Sequence, residues 1–381
     1  MKVAIVGGGI GGLCTGIALQ QMGIEATVYE AAPELKPVGA GVGLAANAIQ
    51  ALTRLGVAEK VVARGKQLQA LTILDERGNV ISDMDTRPLS SKYGINNFVI
   101  HRADLHDVLH QHLQPDTLSL NKRCQHIKQQ GEQVHVTFTD GTQTTTDLLI
   151  AADGISSVVR RQLLPQSQPR YAGYTCWRGI VENPGVQINN MISAETWAPQ
   201  GRVGIAPLQG NTIYWYACLN APAQDERMRL MTPQQLAEHF HNLPPAVPAI
   251  LAATKPGQLI WGDIADLKPL KQFVYGRIVL LGDAAHATTP NMGQGACQAI
   301  EDAVVLGQCL QQEQDVAVAL EKNYQKRRVA RTAKVIRLSR LLGEVSQWEN
   351  PLLYRSRNAL FRLTPKAMTQ RQMEWLYEVD F

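Results

Sequence analysis

The order of apolar and polar residues predicts a strand, a helix and a second strand at the start of the chain. Residues 2–6 are a short, almost continuous apolar run, which is typical of a buried strand. Residues 10–22 place Ile10, Leu13 and Ile17 at helical spacing, and residues 24–30 predict the next strand. The chain therefore begins with a βαβ unit whose first turn is rich in glycine.

The middle of the chain favours antiparallel structure. Residues 68–85 and 134–151 predict hairpins that turn near residues 77–79 and 140–141. Between residues 171 and 261, which hold four of the six tryptophans, the segments YTCWRGIV, MISAETWAP, RVGIAPL and TIYWYACL are strand-like. We expect an antiparallel sheet here, followed by a helix over 231–243.

The last third returns to the alternation of strand and helix. Residues 277–281 predict a buried strand, a helix begins near residue 295, and a long helix covers about 316–345. The predicted fold is α/β, with a Rossmann-like nucleotide-binding domain, an inserted antiparallel-sheet domain and a long C-terminal helix. We assign residues 1–70, 98–170 and 265–315 to the first, 71–97 and 171–264 to the second, and 316–381 to a C-terminal helical region.

Composition narrows the class of protein. The 381 residues are 45% hydrophobic with a formal charge of +4, which is typical of a globular protein without a nucleic-acid partner. Six cysteines without a CxxC pair predict reduced thiols in the cytoplasm. The sequence contains no run of about 18 apolar residues, so it predicts no membrane-spanning helix. The basic residues of 316–345 fit a solvated helix face better than a lipid surface, and the sequence leaves monomer and homodimer open.

The glycine-rich turn matches a dinucleotide fingerprint. Gly7, Gly9 and Gly12 have the GxGxxG spacing between a predicted strand and helix, and Glu30 ends the second strand. Such glycines allow a tight turn, a close approach to a pyrophosphate and close packing of the helix, while the acid accepts from ribose hydroxyls. At this point either FAD or NAD fits the pattern.

Two further segments decide the family that the chain resembles. The AADGISSVVR segment and the LLGDAAHATTPNMGQGACQAIEDA segment each follow a predicted buried strand. Together with the fingerprint, they make the chain similar to single-component FAD-dependent aromatic monooxygenases, which include the para-hydroxybenzoate, salicylate and urate hydroxylases. The resemblance extends to about residue 340 and implies FAD as cofactor, with NADH or NADPH and O2 as co-substrates.

The resemblance also implies a cofactor site. By position in the motifs, it assigns contacts with the pyrophosphate, ribose, adenine, ribityl chain or isoalloxazine of FAD to Gly7, Gly9, Ile10, Gly11, Gly12, Glu30, Ala31, Arg102, Cys124, Asp153, Gly154, Asp283, Gly293, Gln294, Gly295, Ala296 and Cys297.

Four residues are implied at the substrate side. Arg202 and Tyr214 match positions near substrate in urate hydroxylase, and Pro290 lies close to the oxygen-reacting carbon of the flavin by the same resemblance. Urate hydroxylase has an aspartate where this chain has Asn291, and an amide cannot act as a general base. His286 in the same segment fits a structural role better than that of a base.

The resemblance implies hydroxylation or epoxidation of a small aromatic, N-heteroaromatic or other electron-rich substrate through a flavin C4a-hydroperoxide. One alternative is an FAD-dependent reductase or dehydrogenase of the same fold, acting on an isoprenoid or aromatic compound. Another is a flavin-bound regulatory protein without turnover.

Overall fold

The glycine-rich turn does connect a buried strand to a buried helix. The computed structural model describes residues 1–35, 40–94, 97–365 and 374–381. Its strands are β1 (Lys2–Val6), β2 (Glu25–Tyr29), β3 (Gly41–Leu44), β4 (Lys66–Gln67), β5 (Ala70–Leu74), β6 (Val80–Asp85), β7 (Phe98–His101), β8 (Leu118–Ser119), β9 (Cys124–Gln130), β10 (Gln133–Phe138), β11 (Gln143–Thr146), β12 (Leu148–Ala151), β13 (Arg170–Glu182), β14 (Ile192–Ala198), β15 (Gly201–Pro207), β16 (Thr212–Asn220), β17 (Ile260–Asp266), β18 (Val274–Tyr275) and β19 (Ile278–Leu280).

Helices cover both the start and the end of the chain. They are α1 (Ile10–Gln21), α2 (Ala46–Arg54), α3 (Ala58–Ala63), α4 (Arg87–Tyr93), α5 (Arg102–His110), α6 (Val158–Leu163), α7 (Glu226–Arg229), α8 (Pro233–His239), α9 (Ala246–Ala252), α10 (Asp283–His286), α11 (Gly295–Gln312), α12 (Gln325–Ser346) and α13 (Pro351–Leu363). A π-helical segment at Val318–Tyr324 leads directly into α12, and short 3-10 turns lie at Pro256–Gln258 and Pro290–Met292.

A six-stranded sheet forms the base of the nucleotide-binding part. Its order is β18-β19-β12-β1-β2-β8, and every pair except β18 with β19 is parallel. The strands are short and apolar because helices cover the sheet. The carboxyl ends of β1, β12 and β19 meet at one edge, so the three motif segments of the sequence are brought together there.

A seven-stranded sheet carries the tryptophan-rich segments, in the order β17-β13-β16-β15-β14-β5-β6. All its pairs are antiparallel except β14 with β5. Alternation divides β16 between two faces: Ile213 and Trp215 pack beneath α8 and α9, whereas Tyr214 and Tyr216 lie on the opposite face. On the basis of this pairing, we propose the domain limits given above.

The expected fold class is confirmed, with local differences. The hairpin over 68–85 forms as predicted, and α8 begins with the Thr232 cap. The second predicted hairpin is interrupted at Asp147: β11 pairs with β10, whereas β12 enters the parallel sheet. Helix α13 lies in the expected C-terminal helical region, but the sequence analysis did not predict its bounds, and it begins after the Asn350 cap. Within the described ranges, no helix is long and apolar enough to cross a membrane.

Candidate active site

The first loop at the sheet edge is built around two glycines that cannot carry a side chain. Gly7 has a φ of +106°, and a Cβ there would lie 2.3 Å from the Ala152 carbonyl oxygen. A Cβ at Gly12 would lie 1.9 Å from the Gly7 carbonyl oxygen. Helix α1 then begins after Gly9 without a side-chain cap or an acidic residue in its first turn. Its first N–H groups are therefore available to an anion.

Glu30 orders this loop from the end of β2. One carboxylate oxygen accepts from the Gly8 N–H at 2.7 Å, and the other accepts from the Ala32 N–H at 2.8 Å. The Gly8 carbonyl oxygen lies 2.7 Å from the His106 Nε2. The carboxylate is therefore fixed beside the glycine turn, where it fits as the acceptor of a further hydrogen bond from a ribose hydroxyl.

The second loop holds a carboxylate with an unused oxygen. Asp153 Oδ2 accepts from the Val158 N–H at 2.8 Å, whereas the buried Oδ1 has no partner among the described residues. Burial raises the pKa of Asp153. Gly154 follows it with a φ of +77°. The buried Arg160 side chain donates to the Ala284 carbonyl oxygen at 3.1 Å and thereby joins this loop to the third one.

The third loop carries Asp283 at the same edge of the sheet, at the start of α10. The side chain is accessible to solvent, yet the surrounding protein raises its pKa through desolvation, against the opposing charges of His286, Arg102 and Arg160. Arg102 begins α5 and is itself exposed. An accessible carboxylate with a cation close by fits the hydroxyl-rich and phosphate-bearing middle of a dinucleotide.

The segment after Pro290 forms a second uncapped helix start. Pro290 opens a 3-10 turn, Gly293 adopts a left-handed conformation, and α11 begins at Gly295 without a side-chain cap. The backbone N–H groups there, including that of Ala296, fit negative charge on a flavin ring. These uncapped helix starts, together with the Asp153 oxygen and Asp283, fit FAD.

Two cysteines that the resemblance placed near FAD have buried side chains. Cys297 Sγ accepts from the Ala45 N–H at 3.5 Å and packs against α2, so that only its backbone belongs to the start of α11. Cys124 begins β9 in the core, and burial, followed by the charge of Asp153, raises its pKa to about 12. Each thiol therefore serves packing.

Arg202 is the central side chain of the substrate face. It is 3% exposed, and its guanidinium lies 3.1 Å from Glu195 Oε1 and over the Tyr174 ring, with 5.2 Å to the ring centroid. Its Nε has no hydrogen-bond partner among the described residues. Tyr214 lies on the neighbouring strand β16 and packs against Gly41, where a Cβ would lie 2.5 Å from the ring. Arg202 and Tyr214 thus lie on the same face of the seven-stranded sheet.

Asn291 uses its whole amide to hold this cluster together. Its Oδ1 accepts from the Arg202 Nη2 and, at 3.1 Å, from the Tyr174 hydroxyl. Its Nδ2 donates to Thr289 Oγ1 at 2.9 Å and to the Ser339 carbonyl oxygen at 2.8 Å. The residue that the sequence analysis placed at the substrate side is therefore an anchor that joins Arg202 to α12.

A buried ion cluster lies behind the α10 and α11 loops. Arg328 of α12 contacts Glu301 and Asp302 of α11, each at 2.5 Å, and Asp302 also contacts His286. Glu301 accepts from Asn47, which in turn donates to Gln294 Oε1 at 3.0 Å. His286 is thus held within the structure away from the substrate face, and Gln294 is fixed from behind.

Comparison with known proteins agrees with this geometry. The profile of the FAD binding domain family, FAD_binding_3, matches residues 1–339. The chain therefore belongs to a family of FAD-dependent monooxygenases. Relatives in this family include the aurachin C monooxygenase/isomerase of Stigmatella aurantiaca, with 39% identity over 98% of each chain.

Two other members of the family are similar over nearly the full length. The 2-heptyl-3-hydroxy-4(1H)-quinolone synthase of Pseudomonas aeruginosa is 32% identical, over 99% of this chain and 98% of its own. The crystal structure of Klebsiella pneumoniae HpxO complexed with FAD and uric acid has a TM-score of 0.90 at 31% identity, and covers 98% of this chain and 95% of that one. The expected FAD-dependent monooxygenase is thereby confirmed.

Sequence reasoning missed several residues of the site. Tyr174, Glu195 and Arg178 lie on strands whose alternation alone does not show which side of the sheet becomes the substrate face. Arg160 lay in the AADGISSVVR segment and Arg328 in the predicted long helix, and neither was given a role. A charged residue within an otherwise apolar helix face was the available signal, because such a charge needs a buried partner.

Proposed function

We propose that this enzyme hydroxylates an N-heteroaromatic ring that carries a ring carbonyl, of the 4-quinolone type, with NADH or NADPH as reductant. The balance is that of a monooxygenase: substrate, O2, NAD(P)H and H+ give hydroxylated substrate, NAD(P)+ and water. FAD supplies the redox and oxygen chemistry when bound, and the chain supplies binding, orientation and electrostatics. The six free cysteines support a cytoplasmic location.

The observation that carries this proposal is the complete hydrogen bonding of Asn291. The amide oxygen accepts and the amide nitrogen donates, so Asn291 cannot act as a general base. A water molecule in place of this amide would break the cluster. This position therefore supports a ring that is already electron-rich, rather than one that needs a carboxylate base there. Two relatives with near full-length similarity are named for aurachin C and for a quinolone product.

The roles of the chain follow from the geometry. The Gly7 to Gly12 turn, Glu30, Asp153, Asp283 and the start of α11 would hold FAD. Arg202 would donate to a substrate oxygen through the N–H groups that Glu195 and Asn291 leave free. Tyr214, seated against β3, would pack on the planar ring and donate its hydroxyl. The sheet and α12 exclude water from the cluster.

The test is anaerobic stopped-flow reduction followed by admission of oxygen. FAD-loaded enzyme is mixed with NADH or NADPH, with and without 2-heptyl-4(1H)-quinolone, urate serving as the comparison ligand. We expect the quinolone to accelerate bleaching of the flavin at least tenfold and to gain one oxygen atom by mass spectrometry. Fast reduction without ligand, with no oxygenated product, would favour the reductase alternative. Oxygenation of urate alone would refute the quinolone proposal.

A further inference from the structure

A second arginine lies on the same face of the seven-stranded sheet as Arg202. Arg178 belongs to β13 and stands opposite Tyr216 of β16 and Ile260 of β17. Because side chains alternate along a strand, Arg178 shares its face with Tyr174, whose hydroxyl contacts Asn291. Tyr214 is the diagonal neighbour of Arg178 on this face, within reach of a long side chain. Arg178 is therefore part of the substrate face and is only partly exposed.

The two arginines differ in how their charge is balanced. Arg202 has the Glu195 carboxylate, whereas no carboxylate of the described residues lies within ion-pair distance of Arg178. The neighbouring groups are a thiol and phenols: Cys176 is two residues away on the same face, and Tyr214 and Tyr216 of β16 lie beside Arg178. Arg178 and Arg202 thus share one face, and the Glu195 carboxylate pairs with Arg202.

A half-buried guanidinium without a carboxylate partner is unfavourable unless a ligand completes its hydrogen bonds. Removing a charge from water without a partner costs several kcal/mol in general, and a ligand oxygen can offset part of that cost. Arginine donates in a planar fork that suits a carbonyl or ionised oxygen. β16 lies between the strands of Arg178 and Arg202, which are therefore roughly 10 Å apart, so a planar ring that lay over β16 would meet the two guanidinium groups at different edges.

We propose that Arg178, with Tyr214, forms a subsite for an exocyclic oxygen of the substrate, separate from the Arg202 position. This inference rests on the proposed function and deepens it. Arg178 then determines specificity. A ring with an oxygen at that edge accepts a hydrogen bond from the guanidinium, whereas the same ring without the oxygen leaves the guanidinium without that acceptor. A site built to bind a polar group rejects the analogue that lacks it for this reason.

A purely structural role for Arg178 predicts a different result. If the guanidinium only supported Tyr214, its loss would weaken every aromatic ligand equally. A direct contact instead couples the residue to one atom of the ligand, and a double-mutant cycle measures such coupling. The ligand pair 2-heptyl-4(1H)-quinolone and 2-heptylquinoline differs at that atom, since the second lacks the exocyclic C4 oxygen together with the N1 proton of the quinolone.

The experiment measures equilibrium binding of both ligands to FAD-loaded enzyme from the change in flavin absorbance. For Arg178→Gln, we expect the quinolone Kd to rise about 10- to 100-fold, as for a hydrogen bond to a charged group, and the quinoline Kd to change by less than about twofold. Arg178→Lys should fall between wild type and Arg178→Gln, and Tyr214→Phe tests the second donor. FAD affinity and the KM for NADH and NADPH should not change.

Each contrary outcome has a separate meaning. Equal weakening of both ligands would overturn the subsite in favour of a structural role, and a change confined to the nicotinamide KM would assign Arg178 to the reductant. Failure of wild type to prefer quinolone over quinoline would also overturn it. A quinolone that binds through Arg178 but gains no oxygen contradicts the proposed function alone, because binding is measured without turnover.

Discussion

At the scale of single residues, Asn291 shows how one amide sets the charge of the site. A carboxylate at this position would place a second anion beside Arg202, in addition to Glu195. It would also face the Ser339 carbonyl oxygen and Thr289 Oγ1 without N–H groups to donate. The neutral amide therefore leaves the positive charge of Arg202 available to a ligand, and it also donates a hydrogen bond to the carbonyl oxygen of Ser339 in α12.

We expect Asn291→Asp to weaken binding of the quinolone about tenfold, which corresponds to about 1.4 kcal/mol. The physical reason is that a second carboxylate neutralises Arg202 and loses two donated hydrogen bonds. Ligand titration by flavin absorbance measures the effect, and an unchanged FAD Kd is the control. A gain in kcat, above all with urate, would show instead that a base at this position is useful.

At the scale of elements, α12 acts as the back wall of the substrate cluster. Gly343 lies so close to the site that a Cβ there would be 2.4 Å from Asn291 Nδ2 and 3.3 Å from the Tyr174 hydroxyl. Ser339, one turn earlier, accepts from the same amide through its carbonyl oxygen. The long helix thus fixes a side chain that the sequence separates from it by about fifty residues.

Gly343→Ala should lower the activity of the enzyme while its stability changes little. Alanine favours a helix over glycine by about 0.5–1 kcal/mol, whereas the added methyl group must displace Asn291 and with it Arg202. We expect kcat/KM to fall tenfold or more while the melting temperature changes by only a few degrees.

Glu344→Ala is the matched control for this prediction, because it lies in the same turn of α12 but is exposed. Its kcat/KM should stay within about twofold of wild type. Equal activity of Gly343→Ala and wild type would contradict the role of α12 as a wall.

At the scale of the whole molecule, a buried ion cluster joins the α10 and α11 loops to α12. Asp302 lies at its centre, with His286 on one side and Arg328 on the other. Burial alone would raise the pKa of Asp302, but the charges of His286 and Arg328 lower it from 3.8 to about 2. The ionised carboxylate therefore stabilises the fold above pH 3.8, and this contribution is lost as the pH falls towards 2.

Asp302→Asn should lower the free energy of unfolding by about 3–5 kcal/mol near neutral pH, since it leaves Arg328 without its full partner. The difference between wild type and Asp302→Asn should shrink as the pH falls from about 4 to 2. Urea unfolding followed by tryptophan fluorescence measures it at each pH.

The control for this titration is Asp116→Asn, which changes an exposed carboxyl. Its difference from wild type should be small throughout the range. A wild-type to Asp302→Asn difference that does not depend on pH would show that the carboxylate is not the stabilising form.

The sequence by itself determined the nucleotide-binding half of this protein. The Gly7 turn, Glu30, Asp153 and Asp283 are readable because each follows an apolar strand directly, and parallel strands bring their carboxyl ends to one edge. The glycines also have a local cause, since backbone atoms occupy the space of a side chain. Local patterns of this kind do not depend on distant residues.

Only the tertiary structure decided the substrate face and the connections of α12. Alternation shows that Tyr214 and Trp215 point to opposite sides, but the packing of α8 and α9 under Trp215 determines which side becomes the core. The partners of Asn291 and Asp302 likewise come from elements far apart in the chain. Hydrogen bonds and ion pairs between distant residues form only when packing places them together, and for this reason the sequence alone could not show the cluster around Arg202.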